Sequence, residues 1–177
     1  MINLLLQPLV FERFRSDARY REWHLRGVNA LPERRVLGLH SPEIKAVAKQ
    51  LSREGGEAVM SDGTHRFCAN GAEVIRAFEA VPSECLCYEE TVIWGYLINI
   101  EKCSLEERLA MLTRYGPVLD NRAVCDCYCA HAKWRARTDK TALWAFLARW
   151  FDSKREFEVR FAVVVAMRYF LNEEWLD

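Results

Sequence analysis

Residues Leu119–Cys129 read LDNRAVCDCYC, and residues Glu156–Val163 read EFEVRFAV. The first run starts from a capping residue, Asp120 or Asn121, and then carries apolar side chains at helical spacing. The second opens the last strong helical pattern, expected over Arg155–Phe170 after Ser153. Each places a charge inside a largely apolar stretch, Asp126 in one and Arg160 in the other. A charge in that setting is either paired or aimed at a ligand, because its desolvation is costly. A carboxylate and a guanidinium on neighbouring helices can face one groove. Arg122 sits one turn before Asp126, on the same face.

Outward from these runs the whole chain reads as helical. Period-two runs of Val, Ile and Thr are absent, and apolar residues recur at three and four. A first amphipathic helix is expected over Leu5–Arg26. Ser41-Pro42-Glu43 starts a second, which continues through Ile44, Val47, Ala48 and Leu51 and ends at Glu54-Gly55-Gly56. Ser61-Asp62-Gly63 marks a turn. Helices follow over Ala72–Ala80, stopped by Val81-Pro82, and over Tyr88–Ile100. Ser104-Leu105-Glu106-Glu107 is a capping box, and Tyr115-Gly116-Pro117 ends its helix. Thr138 or Asp139 caps the helix through Leu143, Phe146, Leu147, Trp150 and Phe151. Asn172–Trp175 reads as the start of a further helix.

The helices fall into pairs at a period of roughly 35–40 residues, the spacing of HEAT-like repeats that stack into a solenoid. The expected fold is an all-α, HEAT-like helical repeat solenoid forming one domain over residues 1–177. An irregular helical bundle is the alternative.

Composition sets bounds. The 177 residues carry 25 basic and 25 acidic side chains, so global charge offers no pull on a polyanion. Local patches exist. Seven arginines lie between Arg13 and Arg35 against four acids, and a second cluster is Lys133, Arg135, Arg137 and Lys140. Seven cysteines, with no signal-peptide pattern in MINLLLQPLVF, fit free thiols in a reducing cytoplasm. No apolar run reaches membrane-spanning length.

The chemistry-bearing residues each have two readings. Asp126 with Arg122 is either a surface ion pair or a carboxylate directed into a groove. Arg160 is either neutralised by Glu156 or Asp126, or emerges at a groove, since Phe161–Met167 is continuously apolar and buries this helix on most sides. Arg168 lies about 80° around from Arg160 and extends a basic strip. Cys125, Cys127 and Cys129, with Cys85 and Cys87, lack the spacing of structural zinc ligands and read as small buried hydrophobes, so no metal is expected. Trp94, Trp144 and Trp150 fit core positions. Trp134, between Lys133 and Arg135, either stacks on nucleic acid or packs. Phosphate-loop and nucleophile-elbow motifs are absent, and no cofactor is expected.

The order of LGLHSPEIKAVAKQL, YEETVIWGYLI, ERLAMLTRYGPVLDNRAVCDCYC and FEVRFAVVVAMRYF resembles the bacterial DNA alkylation-repair glycosylases of the AlkD type. The resemblance runs from Val36 onward. It implies a HEAT-like solenoid that acts on double-stranded DNA and removes cationic N3- or N7-alkylated purines without metal or cofactor. It implies that Asp126 matches the family's catalytic aspartate and Arg160 its groove arginine, with Arg122, Lys133, Arg135 and Arg168 as DNA contacts. Arg122 stands where the family usually has tryptophan. The family also has further C-terminal helices, so self-association through an open end is expected.

Overall fold

The computed structural model describes residues 6, 10, 12–60, 63–132, 134 and 139–171. The chain is mostly helical. Helices α1 (Glu12–Ser16), α2 (Ala18–Val28) and α3 (Ser41–Glu54) precede a hairpin of β1 (Gly56–Val59) and β2 (His65–Cys68). Then come α4 (Gly71–Glu79), α5 (Tyr88–Ile100), α6 (Leu105–Tyr115), α7 (Arg122–His131), α8 (Lys140–Phe151) and α9 (Glu156–Tyr169). Short 3₁₀ turns sit at Ser83–Cys85 and Gly116–Val118. No described helix is long and apolar enough to cross a membrane.

Local chemistry sets the boundaries. The single first helix expected over Leu5–Arg26 is broken at Asp17 within its described part. The Asp17 backbone is extended, and its carboxylate accepts from the Tyr20 amide at 3.0 Å, capping α2. Ser41 is the first helical residue of α3 rather than its cap. His40 holds the cap position and donates its amide to Glu43 Oε2 at 2.8 Å. The Ser104–Glu107 capping box forms in both directions, at 3.1 and 2.7 Å. Asn121 caps α7 through Val124, and Asp139 caps α8 through Ala142.

The hairpin departs from the all-helical expectation. Gly56 pairs with Cys68 and Val59 with His65, antiparallel. Four-residue strands are too short to display a period of two, and in each only one residue, Ala58 or Cys68, is buried. Gly55 makes the junction. It sits at φ +68°, and a Cβ there would lie 1.8 Å from the Cys68 carbonyl oxygen.

α3 packs on α5, α5 on α7 and α7 on α9, so alternate helices form one side-by-side row. α4 lies against α3 and α5, α6 against α5, and α8 against α9. A chain of ring contacts ties the row together: Phe78–Trp94, Trp94–Tyr115, Tyr115–Tyr128, Tyr128–Phe161 and Phe161–Trp150, with centroids 4.8–5.9 Å apart. α5 lies at the centre and is buried from Tyr88 to Ile98. α9 is less enclosed than its apolar run predicts. Phe161, Ala162 and Val165 are buried, whereas Val163 and Met167 are 41% and 58% exposed. α7 and α8 cover one side of it, leaving the other open among the described residues.

Candidate functional site

α7 is fixed at its N-terminus by a buried polar relay. Arg34 donates Nε to Asp120 Oδ2 at 2.9 Å, a second donation from Nη2 reaches the same oxygen, and Nη1 bonds the carbonyls of Ser83 and Leu86. Asp120 in turn accepts from the Asn121 amide group at 2.7 Å, orienting the residue that caps the helix. The loop before α3, the turn before α5 and the start of α7 are thereby locked together.

One turn further on, Asp126 leaves α7 toward α9. Arg160 meets it bidentately, Nε to Oδ1 and Nη2 to Oδ2, both at 2.9 Å. Arg122 adds Nε to Oδ2 at 3.2 Å. The side chains are 38% exposed for Asp126, 35% for Arg160 and 74% for Arg122, so the cluster lies at the surface. The Asp126 hydrogen bonds raise the guanidinium pKa of Arg160 still further above neutrality. Two guanidinium groups against one carboxylate leave a local excess of one positive charge. Such a cluster can hold an anion through the outward N–H groups, and it offers a carboxylate to a cation once a guanidinium turns away.

The structure therefore brings together Asp126, Arg160 and Arg122. The ion pair with Asp126 that the sequence left open for Arg160 is the one that forms. Arg168 is engaged elsewhere: Nη1 bonds the carbonyls of Cys129 and Ala130 at 2.8 and 2.9 Å, closing the C-terminal end of α7. Lys133 and Arg135 lie outside the described residues, as does the proposed further helix after Asn172. Trp134 is half-buried and packs against the core.

The cysteines divide by position. Cys125 and Cys129 are buried behind Asp126 as small apolar groups, and Cys68 and Cys87 are buried elsewhere. Cys85 is exposed on its 3₁₀ turn and Cys127 is only partly covered, so neither is a core residue of the kind expected. Among the described residues, no group of three His, Cys, Asp or Glu side chains is placed to hold a metal ion.

The N-terminal arginine patch is largely committed to internal bonds. Arg13 pairs with Asp17 and lies over the Tyr20 ring, Arg21 bonds the carbonyls of Phe14 and Arg15, Arg26 pairs with Glu22, and Arg34 is buried. Asp17 and Glu22 belong to the four acids already set against the seven arginines, so only Asp120, from outside the patch, reduces its charge excess.

Sequence reasoning passed over Glu89 and Glu90. Both are fully buried at the start of α5. Glu89 accepts from the amides of Leu37, Gly38 and Leu39 at 2.8–3.3 Å, while Glu90 accepts from the Cys87 amide at 2.8 Å. Burial outweighs these bonds and pushes the Glu89 carboxyl upward. The signal that singled out Asp126 and Arg160, a charge in an apolar helix, applies equally to these two.

Comparison of the chain with protein-family models, with curated proteins and with solved structures gives no match.

Proposed function

We propose that this chain is a DNA alkylation-repair glycosylase of HEAT-like solenoid form, hydrolysing the N-glycosidic bond of N3- and N7-alkylated purines in duplex DNA. The observation that carries the reading is the meeting of Asp126 and Arg160 at the surface between α7 and α9. The resemblance assigns a joint role to these two residues, and they stand 34 positions apart in the chain. The row of alternate helices α3, α5, α7 and α9 supports the repeat architecture.

An alkylated purine is already cationic and leaves without a general acid. The remaining work is to stabilise an oxocarbenium-like deoxyribose and to place water. A carboxylate does both. Asp126 takes that role when Arg160 transfers its bidentate grip from the carboxylate to a backbone phosphate. Arg122 follows the same exchange at a neighbouring phosphate. DNA thus supplies the anions that release the catalytic carboxylate. No metal or cofactor enters this scheme.

The test is release of 7-methylguanine from methylated duplex DNA. The wild type releases it, and Asp126→Asn slows release by about 10²–10³-fold, the cost of removing one preorganised electrostatic group. Equal release by both proteins would remove Asp126 from the mechanism.

A second reading rests on the same geometry. Both oxygens of Asp126 are already bonded to arginine, which favours a non-catalytic helical scaffold that binds DNA or a protein. Absence of release by the wild type would select it. A steep fall of DNA affinity with salt would then identify DNA as the partner, and a shallow one would count against a phosphate-contacting groove.

A further inference from the structure

A pocket of about 520 Å³ opens at the C-terminal ends of α5 and α7, where α3 and α6 meet them. Its volume lies in the range of small-molecule sites. Lys45 and Lys49 from α3 and Lys102 from the segment after α5 line it. None of the three forms an ion pair among the described residues. Lys45 instead rests over the Tyr96 ring, 5.8 Å from its centre.

The other charges of the pocket are already engaged. Arg108 donates to the carbonyls of Ile98 and Glu101, closing the end of α5. Glu101 accepts from the Ser52 hydroxyl at 2.6 Å. Lys45, Lys49, Lys102 and Arg108 face the single carboxylate of Glu101, so positive charge is in excess and an anion is the ligand that answers it.

Two acceptors complete the lining. Asn99 donates Nδ2 to the Tyr128 carbonyl at 3.1 Å, which fixes the amide orientation, because a carbonyl only accepts. Its Oδ1 is buried and finds no hydrogen-bond partner among the described residues. His131 Nδ1 lies 2.8 Å from the Cys127 carbonyl, so that nitrogen carries the proton and Nε2 of the neutral ring is an acceptor. Cations with acceptors nearby call for an anion that also carries hydroxyl donors. The volume leaves room for more than a bare phosphate.

We infer that this pocket binds a phosphorylated pentose, with the phosphate on Lys45 and Lys49 and a hydroxyl on Asn99 Oδ1. The ligand is either a free sugar phosphate or one unit of an RNA strand, whose 2′-hydroxyl is the donor. The inference does not rest on the glycosylase reading, because the pocket shares no residue with the Asp126 cluster.

Calorimetric titration of the full chain with ribose 5-phosphate tests it. The wild type binds saturably at one site, and the double substitution Lys45→Gln with Lys49→Gln weakens binding at least tenfold. Lys49 is exposed and Lys45 half-buried, and matching circular dichroism and melting curves verify the fold of the variant. Asp126→Asn binds as the wild type does, which separates this pocket from the proposed active site. Displacement of ribose 5-phosphate by a single-stranded RNA, whose 2′-hydroxyls supply the donor, assigns the pentose phosphate to a strand; retention assigns it to a free sugar phosphate. Absence of saturable binding by the wild type, or equal binding by the double variant, would overturn the site.

Discussion

Arg34 and Asp120 form the pair on which the placement of α7 turns. Their side chains are 8% and 13% exposed, so the charges are held in a poorly solvated setting. Removing one partner leaves the other charge buried and alone, which costs far more than a surface pair is worth. Asp120→Asn is expected to lower stability by about 3 kcal/mol or more in urea unfolding. Arg122→Ala, which removes one exposed arm of the Asp126 cluster, is expected to change it by less than about 1 kcal/mol. A similar midpoint for both variants would contradict this ranking. The difference also explains what could be read in advance. Arg122 and Asp126 are four apart, so their contact was legible in the sequence. Arg34 and Asp120 are 86 apart, and nothing in ALPERRVLGLH separates Arg34 from its exposed neighbours. The Asp126–Arg160 contact falls between these cases. Each charge was conspicuous in its own helix, while their meeting depends on the packing of α9 against α7.

Among the helices, α5 is the least tolerant of change. Gly95 sits mid-helix, where alanine ordinarily gains about 1 kcal/mol from helix propensity. A Cβ there would lie 2.5 Å from the Tyr115 hydroxyl and 3.0 Å from its Cζ. Tyr115 is fully buried and donates to the Thr91 carbonyl at 2.9 Å, so it has nowhere to move. Overpacking and a disturbed hydrogen bond outweigh the propensity gain. Gly95→Ala is expected to destabilise the protein by about 2 kcal/mol, read as a lower urea midpoint; an unchanged or higher midpoint would show that Tyr115 can yield. Helix starts were the most legible elements, because caps such as Ser104 with Glu107 are local. The hairpin was the least legible. Its strands answer to the close approach of Gly55 to Cys68 rather than to any periodicity of their own.

For the whole molecule, acid is expected to act through His24. Its ring lies against Phe14 and His40 and is largely buried, and Nε2 has no hydrogen-bond partner among the described residues. Burial, with a smaller contribution from His40, pushes its pKa below the usual 6.5. The unfolded chain then binds this proton more readily than the folded one. Stability is complete above about pH 6.5 and declines as pH falls from there toward the lowered value. Thermal melting should drop by a few degrees between pH 7.5 and pH 5.5. His24→Phe should flatten that slope; an equal slope in the variant would place the titration elsewhere. Zero net charge, by contrast, said little about this molecule. Of the seven N-terminal arginines, Arg13, Arg26 and Arg34 pair with Asp17, Glu22 and Asp120, and Arg21 bonds nearby carbonyls.

The Glu89 carboxylate ends the matter of how the first three helices are held. Leu37, Gly38 and Leu39 lie in a connecting loop, where amide protons ordinarily trade with solvent within moments. Here all three are captured by a side chain from the most enclosed helix of the molecule. Their exchange requires that α5 itself come loose, so it is tied to global opening rather than to loop motion. In deuterium exchange these three positions should rank with the slowest amides of α5. Rapid labelling there would mean that the latch opens independently of the core.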